Sequence, residues 1–266
     1  AQCSDYVGNY SSQVTDVGRS RGFSGKLSIV VDGDKCIFNS NSIPNHNFND
    51  GSDSFPNEVN ALNETYQVTI SPQVASKVTD LSLSLDNAIF LNGVKLDLLA
   101  AACYGVGDEK TGCYKMSQAW RFDPMHAANN FKTDTHNAHA QPDGGYHYHG
   151  CPSVLFEDNV KSPVIGFAAD GFPIFGPYIE ENGTVRKVSS SYKLKEGDRP
   201  SGSDSPGGSY DGTYVDDYEY KEGSGDLDEC NGRIIDDVYG YYVTDSYPWV
   251  LKCFRGTPDS SFQKRM

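Results

Sequence analysis

Short apolar runs separated by turn residues are the pattern that most constrains the fold of this chain. Residues 25–39 hold two such runs around Gly33, an arrangement typical of a β-hairpin, and residues 239–254 repeat it with aromatic residues. Helical periodicity is scarce, and its best candidate, 115–131, is interrupted by Pro124. The sequence therefore predicts a mainly β protein, a sandwich or barrel-like single domain with long loops and one or two short helices.

The length of 266 residues allows one large domain or two small ones. We expect a single domain over residues 1–266, with its core at about 25–256. Two polar segments lack apolar periodicity, namely 40–57 and 195–226. A loop as long as 40–57 inside a domain is usually functional, and 195–226 is predicted to be a long surface excursion.

The net charge of −14 argues against nucleic acid or an anionic membrane surface as a partner, because both require basic patches. It would instead attract cations. No apolar run approaches the ~20 residues that a membrane span needs. The opening Ala1-Gln2-Cys3 resembles a mature terminus left by cleavage after a small residue. These features predict a secreted or periplasmic protein whose partner is an extracellular small molecule or polymer.

Seven cysteines in so polar a chain indicate an oxidising compartment. Spacing alone cannot fix their pairing, but a glycine-rich loop lies between Cys103 and Cys113, and Cys230 and Cys253 could join the last strands. The remaining cysteine, Cys151, lies two residues after His149, so it is either a free thiol near that histidine, available as a soft metal ligand, or a member of a different bridge. The predicted disulfides are Cys103–Cys113, Cys230–Cys253 and Cys3–Cys36.

Four of the six histidines fall within residues 136–149. A turn signal at 143–145 precedes Tyr-His-Tyr-His, which is typical of a strand. Side chains alternate across a strand, so His147 and His149 share one face and the two tyrosines share the other. His139 lies eight residues before His147 and can return across the turn. Three imidazole nitrogens can therefore reach one metal ion.

The predicted ligands are His46, His139, His147 and His149, with His136 as an alternative to His139. Neutral imidazoles suit copper and zinc. Three histidines with an open position are typical of catalytic zinc, whereas copper heads the divalent affinity series. We expect copper, with zinc as the alternative. Two classes of function remain open: a metalloenzyme, either a copper oxidase or a zinc-dependent hydrolase acting on an extracellular substrate, and a protein that sequesters or delivers copper. A fourth histidine ligand favours the second class, and a cleft beside three ligands favours the first.

Carboxylates offer two weaker signals. Asp170 lies on a tight turn and could accept a hydrogen bond from a ligand histidine, or could be an ordinary turn residue. Asp226, Asp228 and Glu229 could hold calcium through oxygen ligands, although they lack EF-hand spacing and solvated acidic groups are the favoured interpretation.

Four segments, 42–46, 137–150, 166–176 and 227–249, resemble the signature of the YHYH domain family and extend over roughly residues 25–256. The resemblance implies an exported protein of mainly bacterial and marine lineages and implies little about activity. One departure concerns Cys151, which stands where the family more often has an apolar residue.

Overall fold

The computed structural model describes residues 1–265 and consists mostly of short strands and irregular loops. The strands are short because Gly, Asn, Asp and Pro interrupt the apolar runs at close intervals. In the described range they are β1 (Gly8–Asp16), β2 (Arg21–Asp32), β3 (Lys35–Ser40), β4 (Glu64–Thr69), β5 (Thr79–Asp80), β6 (Ala88–Phe90), β7 (Lys95–Leu96), β8 (Ala138–Ala140), β9 (Tyr146–Tyr148), β10 (Val164–Ala168), β11 (Pro173–Phe175), β12 (Tyr178–Glu181), β13 (Thr184–Lys187), β14 (Tyr192–Leu194), β15 (Tyr218–Tyr220), β16 (Gly232–Ile235), β17 (Val238–Tyr242) and β18 (Cys253–Phe254).

Helical structure in residues 1–265 is confined to single 3-10 turns. The segment 115–131 was the best helical candidate, yet it forms only one such turn. Its backbone bonds to distant segments instead: the amide of Phe122 donates to the carbonyl of Ala102 at 3.0 Å. Tertiary hydrogen bonds thus replace the local bonds of a helix. The turns are Cys3–Tyr6, Ala127–Asn129, Ser153–Leu155, Val215–Asp217 and Ser260–Phe262.

Strands β1 to β4 form an antiparallel sheet in chain order. The hairpin predicted at 25–39 is its centre, where β2 and β3 pair up to Asp32 and Lys35. Gly33 turns the chain with φ 63°, a left-handed conformation that glycine adopts without strain. Alternate residues on β2 to β4 are fully buried, so one face of this sheet covers the core.

A second sheet has eight strands in the order β16-β17-β11-β10-β6-β7-β9-β8. It is mixed, with β11 parallel to β17 and β7 parallel to β9. The two sheets pack against each other: the rings of Phe38 on β3 and Phe167 on β10 lie 6.3 Å apart, and both are fully buried. In the described residues neither sheet closes into a barrel. The prediction of a mainly β, sandwich-like fold is confirmed.

All three predicted disulfides are present, Cys3–Cys36, Cys103–Cys113 and Cys230–Cys253. Cys151 is the free cysteine, as predicted. Burial raises the pKa of its thiol to about 12, so the sulfur stays protonated at neutral pH. No helix among residues 1–265 has the length and apolar character needed to cross a bilayer.

The carboxyl-terminal half carries more irregular structure than the sequence predicted. Of residues 247–254, predicted as a strand, only β18 is one, paired with β5. Segment 195–226 begins directly after β14 and contains β15, which pairs with β14. Arg199 is 9% exposed and bonds the buried carboxylate of Asp217 at 2.6 Å. That ion pair joins the two ends of the loop between β14 and β15.

Candidate metal centre

Strands β8 and β9 form the hairpin that brings the histidines together. Their register places His139 directly opposite His147, in agreement with the predicted return across the turn. Gly144 closes that turn in the left-handed region, with φ 88°. His149 lies just beyond β9, and its amide donates to the carbonyl of Asn137 at 2.8 Å. The backbone therefore fixes all three imidazoles on one face of the sheet.

The three rings converge through their Nε2 atoms. The Nε2 of His149 lies 3.0 Å from that of His147 and 3.0 Å from that of His139. Ligand atoms of all three lie within 4.8 Å of one another. Nitrogens held by one tetrahedral ion at about 2.0–2.1 Å lie roughly 3.3 Å apart, so this spacing is close to that of a three-histidine metal site.

Backbone carbonyls fix the tautomers of two rings. The Nδ1–H of His139 donates to Phe131 at 2.7 Å, and the Nδ1–H of His147 donates to Gly145 at 3.0 Å. Their Nε2 atoms therefore present lone pairs to the centre of the cluster. The Nδ1 of His149 is buried without a well-formed hydrogen bond, although the backbone of Asp97 approaches that ring. The Nδ1 of His149 is therefore the one cluster nitrogen without a well-formed hydrogen bond, and the three Nε2 atoms face one another.

Burial holds the pKa of all three imidazoles below the usual value for histidine. Desolvation is the largest cause for each ring. The like charge that the neighbouring rings would carry lowers the pKa of His147 and His149 further. The rings are therefore neutral at neutral pH, the form in which imidazole binds a metal ion.

Lys95 is a charged residue that sequence analysis missed beside the cluster, as is Lys264, whose positive charge lowers the pKa of His149. Lys95 pairs in register with His147 across β7 and β9, and its positive charge also lowers the pKa of that histidine. Its ammonium group is 3.2 Å from the carboxylate of Glu64 and 3.8 Å from that of Asp86. No local signal marks this neighbour, because a long-range parallel pairing creates it.

His46 does not join the cluster, so its assignment to the ligand set is corrected. It lies on the opposite face of β9, where its Nε2 accepts the hydroxyl hydrogen of Tyr148 at 2.5 Å. Its Nδ1–H donates to the carbonyl of Asn47 at 2.7 Å, so both nitrogens are used. Loop 40–57 brings it there because that loop folds over the tyrosine face, where Phe48 packs on Tyr146.

His136 also lies outside the cluster and does not substitute for His139. Its ring stacks on that of His46 at 3.9 Å, and its Nε2 lies 3.3 Å from the carboxylate of Asp50. Cys151 is likewise not part of the convergent group, although it follows His149 by two residues. The chain turns after His149, since Gly150 and Cys151 lie outside the strand.

Asp170 bonds no histidine, contrary to one of its two predicted roles. Its carboxylate accepts from the Tyr241 hydroxyl at 2.5 Å and from the backbone amides of Phe172 and Gly256. It therefore stabilises a turn between β10 and β11.

The predicted calcium group is dispersed among separate partners. Asp226 forms two hydrogen bonds with Arg186, at 2.8 and 3.0 Å. Asp228 accepts from the Tyr239 hydroxyl and from backbone amides, and Glu229 lies 3.7 Å from Arg255. These carboxylates do not converge as a metal-ligand group within residues 1–265.

A surface cleft of about 630 Å³ adjoins the cluster at His139. His139 lines this cleft, whereas His147 and His149 are only 1% and 4% exposed behind it. Its walls combine the rings of Phe122 and Phe131 with charged side chains of both signs. One ring of the cluster therefore borders the cleft, and the other two lie deeper in the protein.

The fold and the site define a mainly β protein with a buried three-histidine cluster behind a surface cleft. The family model described as YHYH protein matches residues 65–256, and the chain belongs to this family. The match includes β8, β9 and the cluster, while segment 42–46 lies outside it. Comparison with curated proteins and with solved structures found no significant match.

Proposed function

We propose that this protein is an exported metal-binding protein that holds one metal ion, preferably copper, on His139, His147 and His149. The observation that carries the proposal is the convergence of three Nε2 atoms, in which that of His149 lies 3.0 Å from each of the other two and two rings are oriented by backbone carbonyls. A cation between the rings would bind all three nitrogens.

Export is supported by the three disulfides, because such bonds persist in oxidising compartments. The net charge of −14 adds a field that favours cations around the molecule.

Copper is preferred because the donor set contains imidazole nitrogens and no carboxylate. Copper on three imidazoles would supply one-electron redox chemistry. Zinc is the competing ion, since the same three ligands with an open position would lower the pKa of a bound water. The protein contributes the fixed tautomers and the exclusion of water behind His139.

An open centre is favoured over a closed storage site. His46, the candidate fourth ligand, is occupied on the other face of β9, and His139 lines a cleft. A site with three protein ligands and an approach from solvent can accept an extracellular small molecule or the end of a polymer as a further ligand. Sequestration or delivery of copper would instead call for complete coordination by the protein.

Metal analysis of protein purified without a histidine tag tests the proposal. After loading with copper or zinc and removal of the excess, we expect about one ion per chain, and less than about 0.3 would refute the site. Electron paramagnetic resonance of the copper form should show coupling to imidazole nitrogens. A competition between equal copper and zinc decides the identity of the ion.

Two variants make the test specific. His147→Ala combined with His149→Ala should abolish binding, because it leaves one nitrogen of the three. His126→Ala is the matched control, since His126 lies outside the cluster and should leave the stoichiometry unchanged. Equal loss in both variants would show that metal uptake reflects general histidine content.

A further inference from the structure

A second cavity, of about 400 Å³, is separate from the histidine cluster and has a different composition. Residues from β14, β15 and the loop 247–252 line it, together with residues of the segment 116–123. We call it the tyrosine–tryptophan cavity after its aromatic lining residues Tyr192, Tyr218, Tyr247 and Trp249. Its volume lies in the range of small-molecule sites, about 300–1,000 Å³.

The aromatic rings of this cavity are held rigidly. Tyr218 and Tyr247 stack with centroids 4.5 Å apart and planes 11° apart, and Tyr192 packs edge-on against Tyr247 at 5.4 Å. The indole N–H of Trp249 donates to Asp123 at 3.0 Å. That bond fixes the orientation of the indole, which packs partly on the core and also lines the cavity.

The backbone of Trp249 supports the same interpretation. This bulky residue has φ 70°, in the left-handed region that residues with large side chains rarely adopt. Its amide donates to Ser246 at 3.0 Å and its carbonyl accepts from Thr244 at 2.9 Å, so the surrounding loop maintains the conformation. Such conformations concentrate at ligand sites, where they direct a side chain.

Polar groups without protein partners lie in the same cavity. Tyr247 lines the cavity and is only 6% exposed, and its hydroxyl forms no hydrogen bond within residues 1–265. The ammonium group of the half-buried Lys252, which also lines the cavity, forms no ion pair within the described chain. A buried hydroxyl such as that of Tyr247 is rarely left without a partner unless a ligand or water supplies one.

The charges around the cavity balance. Its lining includes three acidic and three basic side chains, Asp80, Asp123, Asp216, Arg121, Lys195 and Lys252. The guanidinium of Arg121 is used by backbone carbonyls, and Asp123 is 2% exposed with no cationic partner among residues 1–265. The lining therefore has no net charge that would favour a ligand of one sign, and it offers both donors and acceptors. Groups that both donate and accept hydrogen bonds would fit it.

We propose that the tyrosine–tryptophan cavity binds a neutral saccharide. A pyranose ring has an apolar C–H face that packs on the flat face of Trp249, and hydroxyl groups that can bond Tyr247, Lys252 and Asp123 at once. The rigid aromatic wall reduces the entropy lost on binding. This cavity does not include the histidine cluster, so the saccharide proposal does not depend on metal binding.

Titration with soluble neutral tetrasaccharides tests this proposal on the full chain. The probes are cellotetraose, laminaritetraose and mannotetraose, with an alginate tetrasaccharide as the charged comparison, and binding is measured by calorimetry. We expect a dissociation constant of about 1 mM or below for at least one neutral probe. In a Trp120→Phe protein, which leaves Trp249 as the remaining tryptophan, the same titration should change the fluorescence.

Variants locate the binding. Trp249→Ala should weaken it roughly tenfold or more, and Tyr247→Phe and Lys252→Gln by about three- to tenfold each. Tyr114→Phe, at an exposed tyrosine outside the cavity, is the matched control and should leave binding unchanged. Near-ultraviolet circular dichroism identifies any variant that fails to fold. If Trp249→Ala does not fold, Tyr247→Phe and Lys252→Gln test the proposal. Absence of saturable binding by all neutral probes, tighter binding of the alginate probe, or binding unaffected by Tyr247→Phe and Lys252→Gln would overturn the proposal.

Discussion

The two faces of β9 carry similar numbers of polar ring side chains and satisfy them in different ways. On the tyrosine face, Tyr146 donates to Asp134 at 2.8 Å, and Tyr148 bonds both His46 at 2.5 Å and Asn92 at 2.9 Å. Each hydroxyl there has a partner inside the protein. On the histidine face, the Nε2 atoms meet only one another.

Whether a buried polar group has a hydrogen-bond partner in another part of the protein distinguishes structural groups from ligand-binding ones. The type of residue does not make this distinction. Buried groups with protein partners contribute to folding, while buried groups left without them lower stability until a ligand arrives. His46 and His149 are both buried histidines beside β9, one on each face of the strand, and the partners of their nitrogens assign them to opposite classes.

The largest expected effect concerns metal addition. Copper in excess over its dissociation constant by about 1,000-fold should raise the free energy of unfolding of the wild-type protein by about 4 kcal/mol. His147→Leu combined with His149→Leu should remove that increase, whereas Tyr146→Phe combined with Tyr148→Phe should keep it. Urea unfolding in a metal buffer measures all three. If copper still stabilised the variant that combines His147→Leu and His149→Leu, the histidine face would not be the metal-binding face.

The tyrosine face should be the more costly to disrupt in the metal-free protein. Asp134 is 5% exposed and accepts from Tyr146 and from the amide of Asn49, so Asp134→Ala leaves several buried donors unpaired. We expect a loss of about 3 kcal/mol in the free energy of unfolding. Asp245→Ala is the control, because this carboxylate is exposed and pairs with Lys187 at the surface; it should change stability by less than about 0.5 kcal/mol. Similar losses in the two variants would contradict the prediction.

A pH titration sharpens the comparison further through His46. Burial lowers its pKa to about 4, against about 6.5 in the unfolded chain, with His136, Asp50 and Tyr148 facing the ring. Between these values the unfolded chain binds a proton that the folded protein excludes, so stability falls as the pH falls.

His46→Gln removes this contribution. From about pH 7.5 to about pH 5 the metal-free wild type should lose about 2 kcal/mol more than the variant. Burial raises the pKa of Asp86 and of Asp123 to about 6, and these groups act in the opposite direction, but equally in both proteins. Urea unfolding at several pH values measures the difference. Parallel pH profiles would show that His46 titrates normally.

Sequence reasoning was most successful where the determining interactions are local. Alternation along β9 and the turn at Gly144 fixed the positions of His139, His147 and His149 relative to one another, because the hairpin spans only a few residues. The disulfide Cys103–Cys113 closes a short loop in the same way.

The errors arose where distant segments decide the outcome. His46 is separated from Tyr148 by 102 residues, and nothing in loop 40–57 indicates on which face of β9 it will lie. Segment 115–131 has helical periodicity, but its amides of Phe122 and Asp123 donate to carbonyls of distant loops. Lys95 reaches His147 through a parallel pairing, which requires a crossover whose course the local pattern does not specify.

The smallest expected effect has the opposite sign to the others. His149→Leu replaces an imidazole whose Nδ1 is buried without a well-formed hydrogen bond and whose Nε2 faces two other nitrogens. An apolar side chain of similar volume carries no such desolvation cost, so the metal-free protein should gain about 1 kcal/mol in the free energy of unfolding at neutral pH. Metal binding should be lost in the same variant.

The matched change on the other face is Tyr148→Phe, which leaves His46 and Asn92 without the hydroxyl and should lower the free energy of unfolding by about 1–2 kcal/mol. Urea unfolding in the presence of a chelator measures both changes. If His149→Leu lowered the free energy of unfolding by more than about 1 kcal/mol, the contacts among the histidines would themselves stabilise the metal-free protein, which would contradict a site that needs an ion.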